Sequence, residues 1–103
     1  MKVVNSKEFN EIINSKKAVL VDFFATWCGP CRMLAPILED LEGDANGKFD
    51  IIKVDVDESY DLAKKYGIMS VPTMILFVDG METEKFVGLR QKSDILDTIS
   101  AYL

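Results

Sequence analysis

The stretch AVLVDFFATWCGPCRMLAPIL, residues 18–38, changes its hydrophobic period in the middle. Residues 18–24 are a nearly unbroken apolar run of strand length, rich in valine and phenylalanine, which suits a strand covered on both faces. From Pro30 onward, Met33, Leu34, Ile37, Leu38 and Leu41 recur at helical spacing, towards an end near Gly43. Pro36 falls inside that helix. It deletes the bond from its own nitrogen to the Arg32 carbonyl, so a kink is expected there and not an end. At the turn between strand and helix stand the chain's only tryptophan, Trp27, and its only two cysteines, Cys28 and Cys31.

Working outward, residues 2–4 have the character of a short strand. Residues 5–14 read as a helix capped by Asn5, with Glu8 three positions on and Phe9, Ile12 and Ile13 on one face. Residues 49–56 form a further strand. Residues 58–66 form a short helix with Leu62, Ala63 and Tyr66 inward. Residues 73–80 and 82–88 are two strands around an Asp79-Gly80 turn, a hairpin. A closing helix carries Ile95, Leu96, Ile99, Tyr102 and Leu103 on one face, with Ser93 as its cap. The order is β-α-β-α-β-α-β-β-α. Strands joined through helices imply parallel neighbours with right-handed crossovers, and the hairpin adds antiparallel ones. At 103 residues, without repeat or linker, residues 1–103 are expected to form a single domain.

Cys28 and Cys31, three apart on a first helical turn, should have Cα atoms roughly 5–6 Å apart, a separation that permits a disulfide. Cys28 would sit at the helix start, where free backbone N–H groups and the positive dipole end favour a thiolate, the species that attacks disulfides. Cys31, one turn deeper, should be more shielded and act as the resolving thiol. Gly29-Pro30 fits, because proline in the first turn needs no N–H and fixes its own φ. Other readings remain open. A zinc site needs about four protein ligands, and this chain has two cysteines and no histidine, so only a metal shared between two chains is conceivable. A static disulfide or an inert pair is a second alternative. A cysteine-protease nucleophile is excluded, because no histidine exists to activate it. A C-x-x-C on a strand-to-helix turn in a βαβ context reads most strongly as a redox pair.

Asp22 is an ionisable residue in an otherwise apolar strand that leads to the cysteines. Burial should raise its pKa, making it a candidate proton acceptor near neutral pH; the plainer reading is a carboxylate satisfied by Lys53 or by water. The segment DVDESYD, residues 55–61, has carboxylates spaced somewhat like a calcium loop. Counted from Asp55, however, Tyr60 stands where glycine is needed and Tyr66 where glutamate is needed, so that reading fails.

Twelve basic and seventeen acidic residues give a net charge of −5, with no basic cluster to replace counterions. That balance argues against a nucleic-acid or anionic-membrane partner. No apolar run reaches transmembrane length, and the first residues lack a signal-peptide pattern. The expected compartment is cytoplasmic, where thiols are kept reduced.

WCGPC at 27–31, together with VDFFA (21–25), KVDVDE (53–58), YGIMSVPT (66–73) and FVG (86–88), resembles the thioredoxin family from about residue 3 to the end. The resemblance implies an α/β thioredoxin fold, a central five-stranded mixed β-sheet flanked by four α-helices. It also implies a thiol–disulfide oxidoreductase that cycles through a mixed disulfide with client proteins. A thioredoxin reductase, an NADPH flavoprotein or a ferredoxin-linked enzyme, would restore the dithiol. No bound cofactor and no metal are expected beyond the redox-active Cys28–Cys31 disulfide, and the chain is expected to be a monomer. Asp22 would lie beneath the cysteines and aid deprotonation of the resolving sulfur, with Lys53 as its neighbour. Val71-Pro72 would be cis, leaving Val71 backbone free to pair with an extended client segment. Trp27, Pro30, Pro72 and Gly88 would form a flat, uncharged docking patch.

Four positions depart from the family pattern or have no match in it. Phe24 stands where tryptophan is frequent, and Arg32 where lysine is common. Met69 and Arg90 lie near the expected docking surface without a matching family side chain. Two rival functions stay in view: a docking module on the same fold without redox turnover, and an oxidase or isomerase.

Overall fold

The computed structural model describes residues 1–103. Its elements are β1 (Lys2–Val3), α1 (Ser6–Ser15), β2 (Ala18–Phe24), α2 (Gly29–Asp44), β3 (Asp50–Asp55), α3 (Tyr60–Lys65), β4 (Thr73–Val78), β5 (Met81–Val87) and α4 (Lys92–Ser100). The strands form one five-stranded sheet in the order β1-β3-β2-β4-β5. β3 runs parallel to both β1 and β2, whereas β4 runs antiparallel to β2 and β5. The expected mixed sheet with four helices is therefore present.

β2 is central because its apolar run can be covered from both sides. Ala18 and Leu20 point to one face, where Leu34, Leu38 and Leu41 of α2 and Ile95 and Ile99 of α4 pack. Val19, Val21 and Phe23 point to the other, against Phe9 and Ile13 of α1 and Leu62 of α3. Each of the larger side chains, fully buried, contributes about 1.5–3 kcal/mol. Tyr66 joins this second layer edge-on to Phe9 and Phe77. By the same alternation, Asp22 and Phe24 of β2 face the α2 layer.

Local signals explain most element ends. Asn5 accepts from the Glu8 amide at 2.9 Å while Glu8 accepts from the Asn5 amide at 3.1 Å, a reciprocal cap on α1. α2 continues through Pro36, which faces solvent. Four expectations fail. Ser93 lies inside α4, whose cap position is Gln91 with no side-chain bond to the helix. Tyr102 and Leu103 lie beyond the end of α4 and are exposed, and Met33 points outward from α2. α3 begins at Tyr60 and not at residue 58, because the chain first makes a turn in which the Ser59 amide donates to the Asp55 carbonyl. None of the helices is long and apolar enough to cross a membrane.

Candidate active site

Cys28 is the cap residue of α2, in extended conformation, so its side chain occupies the place where serine or aspartate usually accepts a backbone bond. The Cys31 amide donates to Cys28 Sγ at 3.1 Å. Pro30, in the first turn, has no amide hydrogen to compete. The two cysteines are joined as a disulfide with Cα atoms 5.3 Å apart. The pair thus meets the Cα separation that disulfide chemistry requires. No cluster of three or more histidine, cysteine or acidic residues that could hold a metal ion is formed.

The two cysteines differ less in exposure than their positions suggest. Cys28 is 3% exposed and Cys31 4%. In the bridge Cys28 Sγ is bonded to Cys31 and lies 3.6 Å from the Val71 carbonyl oxygen. What separates the two cysteines is the helix start: the amide of Cys31 points at Cys28 Sγ, and the dipole end adds positive potential there.

Val71-Pro72 is cis, and Pro72 is buried directly before β4. The Val71 amide makes no bond within the chain, which leaves it free beside the disulfide. Gly88, at the end of β5, donates to the Pro72 carbonyl at 2.9 Å and has φ +88°. A Cβ there would meet no atom within 4 Å, so the need for glycine is conformational alone. Gly88→Ala is accordingly expected to lower stability by about 1–2 kcal/mol through backbone strain. Urea unfolding measures this, and an unchanged midpoint would contradict it.

Trp27 is not core: it is 68% exposed, and its Nε1 donates to Asp57 Oδ2 at 2.9 Å. It forms one wall of an apolar cleft of about 170 Å³ with Val56, Ile68, Met69, Ser70 and Val71. Met69 is almost wholly exposed at the lip. Arg90 turns instead to the start of α4, where it pairs with Asp94 at 2.9 Å. Sequence reasoning missed Asp57 as the tether of Trp27. Its only sequence signal is the acidic run 55–61, whose spacing points to a calcium loop and not to an indole.

Asp22 is completely buried, and neither carboxylate oxygen has a hydrogen-bond partner. Burial pushes its pKa up from 3.8 to about 6, against the opposing pull of the Lys53 charge. Lys53 is the register partner of Asp22 across β2 and β3. It makes no ion pair with it, however; its ammonium lies over the Phe24 ring, 4.3 Å from the centroid. The idea that Lys53 satisfies this carboxylate directly is therefore wrong: strand register aligns the Cα atoms, but the flexible side chain ends over the ring. Arg32 Nη1 donates to the Thr26 carbonyl at 3.1 Å, on the rim of the same region.

A sequence model of the family described as Thioredoxin matches residues 1–101. Thioredoxin of Staphylococcus epidermidis is 48% identical over 100 residues, covering 97% of this chain and 95% of that one. Among solved structures, a mutant thioredoxin from Halobacterium salinarum superposes with a TM-score of 0.90 at 39% identity, over 99% of this chain and 88% of that one. Plasmodium falciparum thioredoxin gives 0.89 at 36% identity, over 99% and 98% of the two chains. Matched over almost its whole length, and bridging its two cysteines on the first turn of α2, this chain belongs to the thioredoxin family and is a thiol–disulfide oxidoreductase with protein-disulfide reductase activity.

Proposed function

We propose that residues 1–103 act as one monomeric unit carrying electrons in the cytoplasm from a thioredoxin reductase to client proteins with accessible disulfides, in support of cell redox homeostasis. The carrying observation is Cys28 at the start of α2 with the Cys31 amide on its sulfur. In the dithiol form, the Cys28 thiolate attacks one sulfur of a client disulfide; a new S–S bond forms and the client's other sulfur leaves as a thiolate that takes a proton. Cys31 then gives its proton to Asp22 and attacks Cys28 Sγ. The client leaves with both sulfurs reduced, and the Cys28–Cys31 bridge holds the two electrons' worth of oxidation. A reductase, flavin- or ferredoxin-linked, returns two electrons and two protons. No further cofactor is needed.

Trp27, Val71, Pro72 and Gly88 surround the cysteine pair as the docking surface, with Gly29 and Pro30 shaping the turn. The unpaired Val71 amide supports recognition of client backbone, in the way a strand is added to a sheet edge. Lys53 supplies positive charge opposite Asp22.

The deciding experiment follows reduction of a disulfide-bonded client protein with dithiothreitol as electron source. Wild type is expected to accelerate it, and the Cys28→Ser/Cys31→Ser double variant to add nothing. Cellular function retained in the double variant would make the chain a docking module instead. An oxidising equilibrium potential, above that of the cytosolic glutathione pool, would make it an oxidase or isomerase.

A further inference from the structure

A buried carboxylate with two unpartnered oxygens faces, one strand away, a lysine that does not reach it. Something else must hold that lysine. Phe24 follows Asp22 by two residues on β2 and so faces the same side of the sheet. Its ring carries the Lys53 ammonium at 4.3 Å, within the range of an attractive cation–π contact. Ring, lysine and Cys31 also share one cavity of about 230 Å³, completed by Ala25, Thr26, Arg32 and Ala35. The ammonium can therefore keep contact with water in the cavity while resting on the ring.

We propose that Phe24 is a positioning residue: its ring holds the Lys53 ammonium at the cavity beside Cys31 and off the Asp22 carboxylate. A lysine in direct contact would hold the Asp22 pKa lower and leave it a poorer proton acceptor near neutral pH. A lysine on the ring acts only through its field, and burial is then free to dominate. No other charged group competes for Asp22. α2 turns Cys31, Leu34 and Leu38 towards the sheet, β4 sets Met74 beside Asp22 in register, and α4 contributes Ile95 and Ile99. Arg32 lines the cavity but is bonded to the Thr26 carbonyl. In the oxidised protein the cysteines do not titrate, so Asp22 is read alone.

The use of this arrangement rests on Asp22 being the proton acceptor proposed above, but the positioning itself does not. The Asp22 carboxyl ¹³C shift is titrated in the oxidised, full-length protein. Phe24→Leu is expected to lower the Asp22 pKa by about one unit, as the lysine moves to the carboxylate. Phe24→Trp, which keeps an aromatic face, should restore the wild-type titration. In a Lys53→Met background, Phe24→Leu should leave the Asp22 titration unmoved. An unchanged or raised pKa in the single variant overturns the proposal. So does an equal fall with and without Lys53, since the ring would then act only by excluding water. Should Phe24→Leu not fold, the wild type still decides: the Lys53 ε-methylene protons must show an upfield ring-current shift, and its absence overturns the contact. If the titrations behave as stated but Asp22→Ala leaves the kinetics of client release untouched, the positioning stands and the proton-acceptor role falls.

Discussion

In Cys31→Ser, client reduction is expected to halt after half a cycle, with client and protein joined one-to-one through Cys28. Cys28→Ser should give no adduct and no turnover. The asymmetry follows from the first turn of α2 and not from burial, since the two bridged cysteines are equally buried. Only Cys28 Sγ receives a backbone amide, from Cys31, and only Cys28 sits at the cap where the helix dipole ends. These interactions lower the free energy of a thiolate on Cys28 with little effect on Cys31. Cys28 also borders the surface that a client can reach: its sulfur adjoins the Val71 carbonyl, and Val71 lines the apolar cleft with Trp27. Cys31 faces the opposite cavity, bounded by Phe24, Arg32 and Lys53. Serine at position 31 keeps the amide directed at Cys28 Sγ and removes only the sulfur proposed to release the client. Non-reducing electrophoresis of Cys31→Ser with a client disulfide measures the adduct, and dithiothreitol should dissolve it. Free turnover by Cys31→Ser, or an adduct through Cys31 in Cys28→Ser, would reverse the assignment.

How much of this was legible beforehand depends on which force decides each feature. β2 spans residues 18–24 as its composition says, because an apolar run that long has no stable alternative to burial on both faces. The cap of α1 was equally readable, since Asn5 and Glu8 form a local, reciprocal bond. α4 misled because Gln91, Lys92 and Ser93 are all polar. Residue type favoured Ser93, whereas the path of the chain leaving β5 starts the helix two residues earlier. Strand directions followed from the connections, but the order β1-β3-β2-β4-β5 is a property of packing that no local pattern encodes. At the site, residue identity located the cysteines, Asp22 and Pro72. The end point of Lys53 and the tether of Trp27 to Asp57 were hidden, because each joins strands or loops about thirty residues apart through flexible side chains.

Asp22 gives the other large effect, and it runs in two directions at once. Its pKa rises on folding from 3.8 to about 6, because a carboxylate without hydrogen bonds is costly in the α2 layer. Below pH 3.8 both folded and unfolded chains hold the proton, and Asp22 imposes no charge penalty. Between 3.8 and about 6 the folded state keeps the proton while the unfolded state loses it, so raising the pH favours unfolding. Above about 6 the penalty is complete, and at 1.4 kcal/mol per tenfold it amounts to about 3 kcal/mol. Asp22→Ala should therefore gain stability relative to wild type by about 3 kcal/mol between about pH 3.5 and pH 7.5, as a sigmoid centred near pH 5. This difference cancels the small cavity that alanine leaves, which does not depend on pH. Urea unfolding of both oxidised proteins across that range measures it; a flat difference would mean that Asp22 is not desolvated. The same variant should release a client mixed disulfide more slowly near neutral pH, because Cys31 must then lose its proton without an adjacent acceptor. Both expected effects share one origin in the proposed role: the desolvation that raises the Asp22 pKa towards neutrality is the same free energy that the folded state loses.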